Sequence, residues 1–278
     1  MAVKARRPAA CDAWIEVFIS PEYAATCDNA AESVVRGHSL LVVNEMATAA
    51  ECSSLHDATL VAAEKIRAGH ARSEASGSLS ATLACRLEQP CVATCTSGRV
   101  RMPIATFHRA VRTLCGDLLL RALELVDADL PELAELLGRG LAAELRSAAQ
   151  PVATSPLLTF THYEPAINLY TVGGAFEPHQ DLQSLTVLMP LVDADAFEGG
   201  GTAFWRGVPH EDGDVMAPLD SVDRDVASAP PALVLKPPKG AALLWGGRVT
   251  HAGLDVSDGC RSVFVASCSR HGRDFLRD

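Results

Sequence analysis

The spacing of apolar positions changes character near residue 150. Upstream, a short apolar run at 39–44 reads as a strand, and helical periodicity follows it. Thr48 with Glu51 has the form of a capping box, after which Cys52, Leu55, Ala62 and Ile66 recur at helical spacing. Gly69 is the expected stop, and 71–82, rich in Ser, Ala and Gly, is an expected loop. A second helix carries Ile104, Phe107, Val111, Leu114, Leu118, Ala122 and Leu125 in steps of three and four. A third opens at Asp129 with Glu132 and continues through Leu133, Leu137, Leu141 and Leu145. Such stripes predict faces turned to a core. Downstream of residue 155 the period shortens to that of strands, expected at 157–163, 167–172, 185–191, 202–206, 232–235, 241–245 and 261–268. Strands do not alternate with the helices, so a parallel doubly wound sheet is excluded in favour of a helical layer supporting an antiparallel β-sandwich.

Charge narrows the range of partners. Acidic residues outnumber basic ones 34 to 24, a formal net charge of −10 over 278 residues, which disfavours nucleic acid as a ligand. Lys4, Arg6 and Arg7 are followed by Asp12, Glu16 and Glu22 rather than an apolar stretch, so no secretion signal is expected there. No run approaches the roughly 20 apolar residues of a membrane span. A soluble, cytoplasmic protein is expected, its oligomeric state left open. The nine cysteines show no paired spacing, and Cys85, Cys91 and Cys95 read as ordinary thiols rather than a zinc site. Residues 207–231 hold Glu211, Asp212, Asp214, Asp220, Asp223 and Asp225, a solvated loop or, if it overlies the site, a field favouring cationic substrates.

The chemistry concentrates in the stretch from Tyr170 to Asp181. In a strand, residues two apart share a face, so His179 and Asp181 can offer an imidazole and a carboxylate to one point. His251, 70 residues beyond Asp181, supplies a third donor. Two histidines and one carboxylate on one face of a metal leave three positions open, the arrangement of non-haem iron oxygenases. Arg261 opens the apolar strand Ser262-Val263-Phe264-Val265, where a guanidinium is costly unless an anion meets it. A carboxylate of a metal-chelating co-substrate would do so, as would the local Asp258.

Together these residues resemble the iron(II)/2-oxoglutarate-dependent dioxygenases, in their prolyl 4-hydroxylase-like branch. The resemblance is strongest over 170–181, 197–204, 239–245 and His251-Ala-Gly253-Leu-Asp-Val256-Ser-Asp-Gly259-Cys-Arg261, similar to the family's H-x-G-x-x-V-x-x-G-x-R/K signature. It implies an α+β fold: a double-stranded β-helix (jelly roll) in the C-terminal half, supported by N-terminal helices. One domain, 1–278, would comprise a mainly helical support region, 1–150, and a catalytic jelly roll, 151–270. By the same resemblance His179, Asp181 and His251 bind Fe(II), Arg261 binds the 5-carboxylate of 2-oxoglutarate, Tyr170 hydrogen-bonds that carboxylate, and Thr186 lines the co-substrate pocket. Pro190 departs from relatives that carry a further tyrosine there, and the carboxylate of Asp181 argues against halogenation. The implied reaction couples O₂ and decarboxylation of 2-oxoglutarate to hydroxylation of a C–H bond in a peptide or small-molecule substrate, with succinate and CO₂ released and ascorbate as an optional reductant. Two other readings use the same fold: a non-catalytic jelly-roll binding module, and a cupin-type metal enzyme without 2-oxoglutarate.

Overall fold

The structure is a computed structural model that describes residues 5–6, 14–27, 29–75, 94–96, 98–148, 150–207 and 229–272. Its frame is two antiparallel sheets between which the chain passes back and forth. In the larger, β13 (Ala242–Trp245), β9 (Leu185–Pro190), β16 (Arg261–Arg270) and β7 (Ala166–Tyr170) lie side by side in that order. In the smaller, the order is β12 (Leu233–Leu235), β11 (Thr202–Phe204), β14 (His251–Gly253) and β8 (Phe176–His179). Taken in chain order, these eight strands alternate between the sheets except for the consecutive pair β11 and β12. This is the double-stranded β-helix expected from the sequence. A separate ribbon pairs β10 (Phe197–Gly199) with β15 (Val256–Gly259).

The first 150 residues contribute more than helices. Beyond β13 the larger sheet continues through β3 (Ser39–Val43), β2 (Trp14–Phe18) and β1 (Ala5–Arg6). Beyond β7 it continues through β5 (Arg99–Pro103) and β4 (Thr94–Thr96), while β6 (Leu158–Phe160) pairs with the far end of β16. The sheet therefore crosses the boundary at residue 150 on both edges.

Two apolar clusters hold the layers together. On the outer face of the larger sheet, Ile167, Leu169, Val187, Met189, Phe264 and Ala266 are buried in one cluster with Leu55 of α2 (Ala49–Ala75) and Leu118, Leu119 and Ala122 of α3 (Arg109–Asp129). On the inner face, Leu188, Leu243, Trp245 and Val263 are buried with Phe204 and Val256. Covered on both sides, β16 is buried at nine successive positions, which accounts for the apolar run from Val263 to Ala266 and for the small side chains around it.

The capping box forms: the Thr48 backbone N–H donates to Glu51 Oε2 at 2.8 Å, and the Glu51 N–H donates to Thr48 Oγ1 at 3.2 Å. Helix α2 runs past Gly69 to Ala75, since a single glycine costs only about 1 kcal/mol in a helix interior. The third expected helix is two, α4 (Pro131–Leu137) and α5 (Leu141–Ser147). Gly138 and Gly140 between them take φ of +82° and +77°, which an α-helix does not tolerate. Residues 71–75 of the loop expected at 71–82 are instead the last turn of α2; the remainder of that loop, Cys85, Cys91 and the acidic positions 211–225 lie outside the described residues. No described helix is long and apolar enough to cross a membrane.

Candidate metal centre

The register of the smaller sheet sets His251 directly opposite His179, with ring centroids 4.3 Å apart. Asp181 follows two residues after His179, in the turn toward β9. Its Oδ1 lies 3.6 Å from His179 Nε2 and its Oδ2 3.4 Å from His251 Nε2. The three donor atoms lie within 4.8 Å of one another, a group that could hold a metal ion among the described residues.

Each imidazole is already oriented. His179 Nδ1 lies 2.8 Å from the carbonyl of Glu177, and His251 Nδ1 3.0 Å from that of Val249. A carbonyl only accepts, so the proton sits on Nδ1 and the Nε2 lone pair points to the shared centre. Burial pushes the His251 pKa down to about 4, opposed by Asp181, so this imidazole is neutral near neutral pH. Burial works against ionisation of Asp181, yet His251, His179 and Thr186 beside it hold its carboxyl well below the usual range. Two imidazole nitrogens and one carboxylate oxygen form a donor set that fits Fe(II).

The Thr186 hydroxyl donates to Asp181 Oδ2 at 2.7 Å, which fixes the carboxylate. Thr161 Oγ1 holds the same residue from behind, donating to the Asp181 carbonyl at 2.9 Å. Thr186→Val keeps the shape and removes the hydrogen bond. It is expected to weaken Fe(II) binding about 10- to 100-fold in an anaerobic metal titration while the fold persists.

The triad walls a cavity that Tyr170 and Arg261 also line. Arg261 is 4% exposed, and its Nη2 donates to Thr202 Oγ1 at 2.7 Å. Its guanidinium lies 5.2 Å from the Tyr170 ring centroid. Asp258, the local candidate partner, is exposed on β15, and no carboxylate among the described residues pairs with Arg261. Burial penalises this charge and lowers the guanidinium pKa. Gly253 of the H-x-G stretch is explained here: a Cβ would stand 3.1 Å from the Tyr170 hydroxyl oxygen. Val256 of the same stretch is fully buried and accepts at its carbonyl from the Gly173 N–H at 2.9 Å, joining the two sequence blocks that carry the donors.

Much of the cavity wall is unmarked in the sequence: Glu164, Asn168, Phe176, Thr202 and Arg101 line it. Arg101 is 7% exposed and its Nη2 lies 2.8 Å from Glu164 Oε1, whose partner oxygen accepts from the Ser267 N–H. Asn168 lies two residues before Tyr170 on one strand, and Arg101 pairs with it in register. Period-two spacing from Tyr170 was the signal that would have found Asn168.

No family model matches the chain, and no curated protein matches it. Solved structures do. One is an oxidoreductase of the 2OG-Fe(II) oxygenase family from Burkholderia pseudomallei, at 14% identity over 65% of this chain and 72% of that one, with a TM-score of 0.34. The epimerase SnoN, solved with Fe3+, alpha ketoglutarate and nogalamycin RO, reaches a TM-score of 0.50 at 15% identity, covering 87% of this chain and 84% of its own. This chain has the fold of the 2OG-Fe(II) oxygenases. A prolyl hydroxylase from Trichoplax adhaerens, in complex with a hypoxia inducible factor peptide fragment, is also similar, at 14% identity, 89% and 92% coverage and a TM-score of 0.43. Within the oxygenase fold the triad occupies β8, the turn after it, and β14.

Proposed function

We propose that this chain is an Fe(II)- and 2-oxoglutarate-dependent oxygenase that hydroxylates an unactivated C–H bond of an amino acid, peptidyl prolyl residue or small molecule. The observation that carries the reading is Arg261, a buried guanidinium without a carboxylate partner among the described residues, in the same cavity as a facial set of two imidazoles and a carboxylate. An unanswered buried charge is costly, and a dicarboxylate held at the metal by its other end answers it. Bound there, iron and 2-oxoglutarate supply the oxidising power, with succinate and CO₂ as co-products.

The chain's own residues bind and orient. Asp181, fixed by Thr186, gives the donor set its anion. The Glu177 and Val249 carbonyls keep the protons of both imidazoles away from the metal position. Arg261, steadied by Thr202 and flanked by the Tyr170 ring, receives the far carboxylate. Val263 and Val265 add apolar lining to the same cavity. A binding module or a metal enzyme without 2-oxoglutarate leaves the charge of Arg261 unexplained.

Anaerobic addition of Fe(II) and 2-oxoglutarate together should produce a weak visible charge-transfer absorption that neither produces alone. Its absence at saturating concentrations would overturn the proposal.

A further inference from the structure

Three guanidiniums stand on one face of the larger sheet. In register, Arg99 faces Tyr170 across β5 and β7, and Tyr170 faces Arg261 across β7 and β16, while Arg101 stands two residues along from Arg99. Glu164 answers Arg101, and on the proposed function 2-oxoglutarate answers Arg261. Arg99 is left over. It is half-buried, and among the described residues no carboxylate pairs with it and no acceptor takes a hydrogen bond from its side chain. The groups that act on it electrostatically are Tyr170 and a second cation, Arg101.

The position of Arg99 is specific. Its guanidinium lies 3.9 Å from the centroid of Phe176, and the Phe176 ring lies 4.1 Å from that of the metal-binding candidate His179. Stacking on an aromatic face offsets part of the desolvation. Among the described residues nothing accepts from the edge of the planar fork, the edge that meets a carboxylate with two parallel hydrogen bonds. Adding the metal and 2-oxoglutarate does not balance Arg99. Fe(II) is countered by Asp181 and one end of the co-substrate, and Arg261 by the other.

We propose that Arg99 anchors the substrate, and that the substrate is a carboxylate-bearing small molecule such as a free amino acid, held by its carboxylate at the rim beside Phe176 while a C–H bond nearby faces the metal. The inference rests on the proposed function and narrows it. An internal prolyl residue of a peptide has no carboxylate to offer. It also opposes the expectation of cationic substrates drawn from the acidic stretch 207–231, of which 208–228 lie outside the described residues.

The test measures succinate release by the Fe(II)-loaded enzyme with matched probes: L-proline against L-prolinamide, L-leucine against L-leucinamide, 3-phenylpropionate against its amide, and a collagen-like Pro-Pro-Gly peptide. At least one acid should stimulate turnover, and its amide at least tenfold less. Arg99→Gln should raise the KM for that acid at least tenfold with a smaller change in kcat, and Arg99→Lys should recover part of the loss. Both variants should keep the wild-type affinity for 2-oxoglutarate, read from the anaerobic chelate absorption. Parity of acids and amides, stimulation by the peptide alone, silence of every acid, or an unchanged KM in Arg99→Gln would overturn the anchoring role while the chelate absorption stands. Loss of that absorption in the unsubstituted protein would instead remove the oxygenase reading, and the anchoring role with it.

Discussion

Asp181→Asn is expected to lower turnover by at least about 10³-fold, equivalent to roughly 4 kcal/mol of activation free energy, with His179→Ala and His251→Ala no milder. The asparagine keeps the volume and can still accept the Thr186 hydrogen bond, so what it removes is the anion that two Nε2 atoms face at 3.4 and 3.6 Å. Without that charge the site is two neutral imidazoles, a much weaker hold on a hard divalent cation. His251→Ala also opens space against Trp245, whose ring centroid lies 4.8 Å away, and should cost stability as well. His179 is more exposed, so its replacement separates ligation from packing most cleanly. Each variant is checked by anaerobic Fe(II) titration, succinate release and circular dichroism. A variant that is folded and turns over within tenfold of the unsubstituted chain would remove its residue from the ligand set.

Arg261→Met is expected to raise the KM for 2-oxoglutarate about 10- to 100-fold while leaving Fe(II) affinity unchanged. A charge-assisted hydrogen-bonded pair contributes about 1.5–3 kcal/mol, which is that range of affinity. Arg261→Lys should fall between, because an ammonium keeps the charge and loses the fork. The same methionine should make the protein free of 2-oxoglutarate more stable toward heat, since it replaces an uncompensated buried charge with an apolar side chain. A residue with a purely structural role would move the melting temperature the other way. Unchanged 2-oxoglutarate affinity together with lower stability would assign Arg261 to the framework.

What the sequence made legible was whatever depends on local order. Thr48 and Glu51 cap a helix through contacts three residues apart, and His179 with Asp181 needs only the strand period. The long apolar run after Arg261 reads as a buried strand in any context. What it hid were strands with charged residues inside. Glu16 breaks the apolar pattern of β2, yet it is fully buried and accepts from Ser39 Oγ at 2.7 Å, a partner 23 positions away. Arg99 and Arg101 similarly make β5 look like surface until Phe176 and Glu164 are brought to them by the sheet. The split after Leu137 turned on two glycines at positive φ, where apolar spacing alone ran on through Leu141 and Leu145. The Thr186–Asp181 hydrogen bond was not legible either, because the turn before β9 brings the two side chains together and no spacing reports its geometry.

The smaller sheet carries one more consequence. In its ladder Phe204 stands opposite both His251 and Leu233, so the chain leaves β11 and returns at β12 in the same row as the metal candidates. Both ends of that connection are tied down: the Trp205 N–H donates to the Thr250 carbonyl at 3.0 Å, and its indole N–H to the Ala229 carbonyl at 2.8 Å. Length or composition can change between those ties without shifting the register of a single ladder pair. The ladder that carries the metal candidates is thus closed on itself at both ties, and it does not depend on what the chain holds between them.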